Sequence, residues 1–127
     1  MKSRTILCSL VFVPGVSAAQ DWLVYSTLKD GSRHSVDRTS LVKKMWTRRV
    51  WTMVEPAAPV ALDGRHVQTW MALVEVNCEE RTHRGVREVG YANDGSPVYE
   101  ARAAAPLRAV VPESVGAARL EAICAIP

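Results

Sequence analysis

The alternation of apolar and polar residues is clearest between Val67 and Arg81, where the sequence reads VQTWMALVEVNCEER. Side chains two positions apart share one face of a strand, and five of the six on that face are apolar: Gln68, Trp70, Ala72, Val74, Val76 and Cys78. A helical stripe also fits the spacing of Val67, Trp70, Met71, Val74 and Cys78. Three valines, a threonine and a tryptophan, without helix caps, favour the strand. The segment therefore predicts a central strand whose buried face ends in a cysteine.

Patterning elsewhere predicts further strands at residues 22–28, 33–37, 45–55, 82–91 and 98–102. The pairs Asp30-Gly31 and Asp94-Gly95 predict tight turns, because Asp-Gly supplies the positive φ that two-residue hairpins need. Residues 56–66 contain two prolines and predict an irregular surface loop. Gly85 and Gly90 weaken the alternation of the strand at 82–91, which indicates a bulge or an edge strand.

The C-terminal residues 115–125 predict a helix that begins after Ser114, a residue type favoured at the N-cap. Leu120 and Cys124 lie four positions apart and therefore share one face of this helix. A helix of this length is marginal alone in water. It is therefore expected to dock on the sheet, so the pattern predicts an α+β domain.

The N-terminus has the pattern of a secretory signal peptide. Lys2 and Arg4 precede an apolar run that ends at Pro14, and small residues lead up to Ala18. We expect residues 1–18 to be removed, with cleavage after Ala19 as an alternative, which leaves 19–127 as a single domain. A buried N-terminal helix is the other interpretation. The run is too short to cross a bilayer, so no transmembrane segment is predicted.

Export changes the charge and the cysteine count. The chain has 16 basic and 13 acidic residues, and loss of Lys2 and Arg4 leaves 14 against 13, a net charge of +1. That balance gives no support to nucleic-acid binding. Loss of Cys8 leaves Cys78 and Cys124, for which a disulfide is the default in an oxidising compartment and two reduced buried thiols are the alternative. Bulky Leu7 precedes Cys8, so the sequence offers no evident lipidation site and predicts a periplasmic or secreted protein.

The chain contains several short motifs in a fixed order: Trp22, Val36-Asp37 with Ser40-Leu41, Val50-Trp51, Cys78-Glu79-Glu80-Arg81, Val110-Val111-Pro112-Glu113-Ser114-Val115-Gly116 and Cys124. In this order and over nearly all of the mature chain, the sequence resembles the bacterial surface-adhesin protein E-like domain. The resemblance implies an antiparallel sheet of about six strands, with a C-terminal helix tied across it by the disulfide. It also implies an adhesin that binds host proteins.

The sequence carries no recognisable catalytic or cofactor motif. Its three histidines, His34, His66 and His83, lack metal-ligand spacing, and no phosphate-binding loop or activated nucleophile is evident. We therefore predict no enzymatic activity, no metal and no cofactor.

Two candidate surfaces stand out. The first is a basic patch of Arg81, His83, Arg84 and Arg87, with His83 and Arg87 expected on one face; its alternative is a solvated edge strand protected by charge. The second is Trp51 with Met53, in a strand that is apolar on both faces. This pair is either covered or forms an exposed patch that supports a weak homodimer.

Two function classes follow from these observations. The first is an exported binding or adhesion module that recognises a protein or a glycan. The second is a periplasmic structural or accessory protein of an envelope assembly.

Overall fold

The computed structural model describes residues 20–102 and 104–127. The predicted signal peptide and Cys8 lie outside this described part of the chain. In order, the strands are β1 (Trp22–Thr27), β2 (Arg33–Asp37), β3 (Val42–Lys44), β4 (Thr47–Glu55), β5 (Val60–Leu62), β6 (Arg65–Val67), β7 (Thr69–Asn77), β8 (Thr82–Tyr91), β9 (Pro97–Ala101) and β10 (Arg108–Ala109), followed by helix α1 (Val115–Cys124).

These strands form an antiparallel sheet with the order β1-β2-β4-β7-β8-β10, in which β3 extends the β4 side and β9 pairs with β8. Strands β5 and β6 form a separate two-stranded hairpin. The predicted α+β class, with its C-terminal helix and central strand β7, is therefore confirmed. The six-strand path matches the expected size of the sheet, and β3 and β9 bring the sheet to eight strands within the described residues.

Turn chemistry explains the first hairpin. Gly31 has φ of 93°, and the Asp30 carboxylate accepts hydrogen bonds from the Ser32 amide at 2.9 Å and the Ser32 hydroxyl at 2.7 Å. At the end of β2, Asp37 accepts hydrogen bonds from the Thr39 amide and hydroxyl, which starts a short 3-10 turn over Arg38–Ser40. Asp residues in these positions satisfy backbone donors that would otherwise be lost at the strand ends.

Two expectations are wrong, one about residues 56–66 and one about the start of β4. The expected loop at 56–66 contains the β5–β6 hairpin, in which Val60 pairs with Val67. Its turn is made by Asp63 and Gly64, with φ of 48° and 76°, the Asp-Gly signal that the neighbouring prolines obscured. Strand β4 begins at Thr47 rather than at residue 45, because Met45 takes a positive φ of 55° in the turn that links β3 to β4.

Helix α1 closes one face of the sheet, which we call the inner face. Valines from three strands pack there against the helix: Val36, Val50, Val74 and Val76 are buried beneath Leu120 and Ile123. Burying each such side chain contributes about 1.5–3 kcal/mol to stability. At the start of α1 the Ser114 hydroxyl accepts a hydrogen bond from the Ala117 amide at 3.1 Å, as the N-cap pattern predicts.

The far end of α1 is held in two ways. The predicted disulfide is present between Cys78, just after β7, and Cys124, with their Cα atoms 5.9 Å apart. The Arg48 guanidinium donates hydrogen bonds to the carbonyls of Ile123, Cys124 and Ile126 at 2.9, 3.0 and 2.9 Å. The last carbonyls of a helix have no partners within the helix and carry partial negative charge, so an arginine there both satisfies and neutralises them.

Candidate functional site

The side of the sheet opposite α1, which we call the open face, displays an apolar strip. On β4 and β7, Trp51 pairs with Leu73 and Met53 pairs with Met71, one position out of phase with the buried valines. All four side chains are half-buried. Trp51 and Met53 lie on the face away from the helix, beside two apolar side chains of the central strand.

Charged side chains border this apolar strip. Glu75 binds Arg49 at 2.7 Å and Arg84 at 2.9 Å, and Arg87 binds Glu100 at 2.8 Å. The hydrogen bond from Arg49 is the main cause that lowers the pKa of Glu75 below its ordinary value, with Arg84 adding to it.

Arg87 also approaches the strip directly. Its guanidinium carbon lies 6.0 Å from the Trp51 ring centroid, at the outer limit of a cation–π contact. The open face thus combines half-buried apolar side chains with arginines that are each engaged by a carboxylate, and Arg49 and Arg84 share Glu75.

The four residues of the predicted basic patch do not form one surface. His83 pairs with Val76 and lies on the inner face, whereas Arg84 and Arg87 lie on the open face, opposite Glu75 and Leu73. The reason is a bulge: Gly85 pairs with Val74 and Arg87 with Leu73, so one extra residue reverses the alternation between His83 and Arg87. Arg81 lies in the exposed β7–β8 turn with φ of 55°.

A groove of about 410 Å³ opens on the inner face beside the N-terminal half of α1. Six residues that represent its walls and floor are Tyr25, His34, Thr52, Val54, Ala72 and Arg119. Gly116 lets the helix approach the groove closely, because a Cβ there would meet the His83 ring at 3.0 Å. Trp70 and Glu88 also line the groove.

Arg119 is the groove residue that sequence reasoning missed. Its guanidinium lies 2.8 Å from Nδ1 of His83, and its Nε atom is buried with no hydrogen-bond partner. The helix spacing contained a signal: Gly116, Leu120 and Ile123 face the sheet, and position 119 completes the i, i+3, i+4, i+7 stripe. A cationic residue in the sheet-facing stripe of a docked helix is unusual enough to mark the site.

The groove favours neutral histidines. Burial lowers the pKa of His83 below its ordinary value of 6.5, and the charges of Arg119 and Arg108 lower it further. Burial likewise lowers the pKa of His34, again with help from Arg119. Because an arginine has only donors, His83 accepts the Arg119 hydrogen bond on Nδ1 and carries its own proton on Nε2.

Within residues 20–102 and 104–127, no helix has the length and hydrophobicity that a membrane span requires. The same residues contain no group of three or more histidine, cysteine, aspartate or glutamate side chains that could hold a metal ion.

Comparison with known proteins supports the resemblance seen in the sequence. None of the curated proteins matches this chain. Among solved structures, crystal form II of Haemophilus influenzae protein E is similar, with a TM-score of 0.64 and 12% sequence identity, over 90% of this chain and 94% of that chain. At that identity the similarity establishes the fold. The family profile of surface-adhesin protein E matches residues 22–125. The chain therefore belongs to the surface-adhesin protein E family.

Proposed function

We propose that this protein is an exported, non-enzymatic binding module whose open face recognises a protein partner. Membership of an adhesin family supports an adhesin-type role at the cell envelope. The observation that carries the assignment to a surface is the apolar strip of Trp51, Met53, Met71 and Leu73, displayed on the face away from α1. Tryptophan, methionine and arginine are enriched in protein–protein interfaces, and this strip with its border contains all three.

The charges on the open face favour a protein over an acidic glycan. An acidic glycan needs arginines free to bind its carboxylates or sulfates. Arg49 and Arg84 are both bound to Glu75, and Arg87 is bound to Glu100. A partner that covers the Trp51–Leu73 pair buries apolar area and leaves these ion pairs at its rim.

The test is binding of the mature protein to a panel of purified host matrix proteins, measured by biolayer interferometry. Trp51→Ala is expected to weaken binding by about 30-fold, the factor that corresponds to a 2 kcal/mol hot spot. Trp46→Ala is the matched control, since Trp46 is 60% exposed in the β3–β4 turn, before β4 begins. Unchanged binding in Trp51→Ala and in Leu73→Asp would refute the open face as the contact surface.

The same panel decides between the two function classes. An envelope extract from the bacterium is tested beside the host proteins. Binding to envelope components alone would replace the adhesion proposal by an accessory role in an envelope assembly.

Export itself is tested by mass spectrometry of the native protein, which is expected to begin at Ala19 or Gln20. A mature chain that retains residues 1–18 would contradict export, and a lipid adduct on Cys8 would restore a surface lipoprotein.

A further inference from the structure

The groove beside α1 has an apolar floor and one cationic end. Thr52 and Val54 of β4, with Ala72 and Trp70 of β7, form the floor beyond the part of the sheet that the helix covers. The volume of about 410 Å³ falls within the usual range for small-molecule sites, roughly 300–1,000 Å³. Arg119 projects from α1 at the wall, next to His83.

Among residues 20–102 and 104–127, no carboxylate balances the charge of Arg119. Six arginines of the described chain form ion pairs with carboxylates: Arg33, Arg38, Arg49, Arg84, Arg87 and Arg102. Arg48 is bound by three carbonyls. Within the described residues no carboxylate pairs with Arg119, and its sole hydrogen-bond partner is a neutral histidine nitrogen. Burial of an unpaired cation is costly, so a site that retains one has an unmet preference for an anion.

The surroundings of Arg119 leave the positive charge dominant. His34 and His83 are neutral near pH 7 because burial lowers the pKa of each. Tyr25 is neutral as well, because burial raises the pKa of its hydroxyl above the ordinary value. Glu88 lines the groove but is exposed and does not pair with Arg119. Arg108 adds a second positive charge near His83.

We propose that the groove binds a small organic acid, with its carboxylate on Arg119 and its apolar body on the floor formed by Thr52, Val54, Ala72 and Trp70. The guanidinium plane matches a carboxylate and can donate two parallel hydrogen bonds to it. A single arginine suits one carboxylate better than a phosphate with several charges, and the apolar floor requires a ligand with a hydrocarbon part. This site lies on the face opposite the proposed protein-binding strip and does not depend on it.

The probe is octanoate, with octan-1-ol as the neutral analogue of the same chain length. In NMR spectra of the purified protein, octanoate is expected to shift the Arg119 Nε–H and Trp70 indole signals and to leave the Trp51 indole signal in place. Octan-1-ol is expected to bind about tenfold more weakly, because it lacks the charge-assisted hydrogen bonds. Equal affinity for both compounds, absence of saturable binding, or shifts centred on Trp51 would each overturn the proposal.

A matched pair of variants separates binding from folding. Arg119→Met is expected to reduce octanoate affinity about tenfold and to have a melting temperature no lower than the parent protein, since it removes a half-buried charge that has no carboxylate partner among the described residues. At one octanoate concentration, the melting temperature is expected to rise by similar amounts in the parent protein and in Arg87→Met, whose substitution lies on the open face, and by clearly less in Arg119→Met. An equal rise in Arg119→Met would contradict the assignment. If Arg119→Met does not fold, the spectra of the parent protein decide the question.

Discussion

On the inner face, Val50 and Val74 are fully buried beneath α1, whereas on the open face their neighbours Trp51 and Leu73 keep part of their surface in solvent. The two sets of residues alternate along the same two strands. A single sheet therefore supplies the stable core on one side and an available apolar surface on the other. What distinguishes the faces is the C-terminal helix and the contacts that hold it in place.

The inner face itself has two unlike ends. At the C-terminal end of α1, the disulfide and Arg48 fix the helix, and the Arg48 guanidinium donates to the carbonyls of Ile123, Cys124 and Ile126 at and just beyond the helix end. Toward the N-terminal end, Arg119 sits in a groove with one histidine contact. Two arginines on the same face thus serve different purposes, one closing the core and one left for a ligand.

Removal of the disulfide, which holds α1 on the inner face, is expected to cause the largest loss of stability. Cys78 and Cys124 are separated by 46 positions, and closing a loop of that size contributes about 4 kcal/mol by chain entropy. Domains of this kind have about 5–15 kcal/mol in total, so Cys124→Ser is expected to lower the melting temperature by more than about 10 °C. Thermal unfolding followed by circular dichroism measures the change.

Cys78→Ser is expected to match Cys124→Ser, and the double variant should be no worse than either, because all three remove the same bond. A clearly additive loss would mean that the cysteines stabilise the fold by separate contacts. Two reactive thiols in protein purified from its host and denatured without reductant would show that the disulfide does not form in the cell.

Substitutions of the neighbours Arg48 and Arg49, which lie on opposite faces of β4, are expected to have the next largest effects on stability. Arg48→Met removes three charge-assisted hydrogen bonds to α1 and is expected to cost about 2–3 kcal/mol. Arg49→Met removes an ion pair on the open face, with Arg49 46% exposed, and is expected to cost less than about 1 kcal/mol. Urea denaturation of the two variants measures the difference, and equal losses would remove the proposed asymmetry between the faces.

The sequence predicted the parts of the fold that local chemistry determines. Asp30-Gly31 marks the β1–β2 hairpin, Ser114 marks the start of α1, and the alternation through Val74 marks the central strand. The disulfide also followed from counting cysteines after export. Each of these depends on a few adjacent residues or on a count, so no tertiary information was needed.

The candidate site was harder to predict, because it depends on where one bulge falls. Glycines indicated an irregularity in β8, but only the pairing of Gly85 with Val74 and of Arg87 with Leu73 locates it. That one-residue shift places Arg87 on the face opposite His83, whose ring contacts Arg119 on the inner face. The helix spacing places Arg119 on the sheet-facing side of α1, but its contact with His83 depends on where α1 docks along the sheet, which that spacing does not specify.

As the pH falls, the inner face is expected to lose stabilising contacts at a higher pH than the open face. Burial lowers the pKa of His34 and His83 below 6.5, so in the interval beneath 6.5 the unfolded chain takes up more protons than the folded chain. The stability associated with these residues is therefore present above about pH 6.5 and declines as the pH falls through that interval. The urea midpoint is expected to be lower at pH 5.5 than at pH 7.

His83→Gln is expected to reduce this pH dependence, because glutamine can still accept from Arg119 but does not titrate. His66→Gln is the control, since His66 lies exposed on the β5–β6 hairpin. If the urea midpoint falls by the same amount between pH 7 and pH 5.5 in His83→Gln and in the parent protein, the pH dependence belongs to other groups.

The smallest expected effect concerns the open face alone. If the strip of Trp51, Met53, Met71 and Leu73 is available, two molecules can cover it by pairing face to face, and the symmetric contact would be weak because the strip is only half-exposed. Sedimentation velocity is expected to show a monomer at micromolar concentration and partial dimer near millimolar concentration. Trp51→Ser should abolish the dimer while Arg119→Met leaves it intact, because the two residues lie on opposite faces. A strict monomer at the highest concentration would leave the strip to a different partner, and a dimer lost in Arg119→Met would place the contact on the inner face instead.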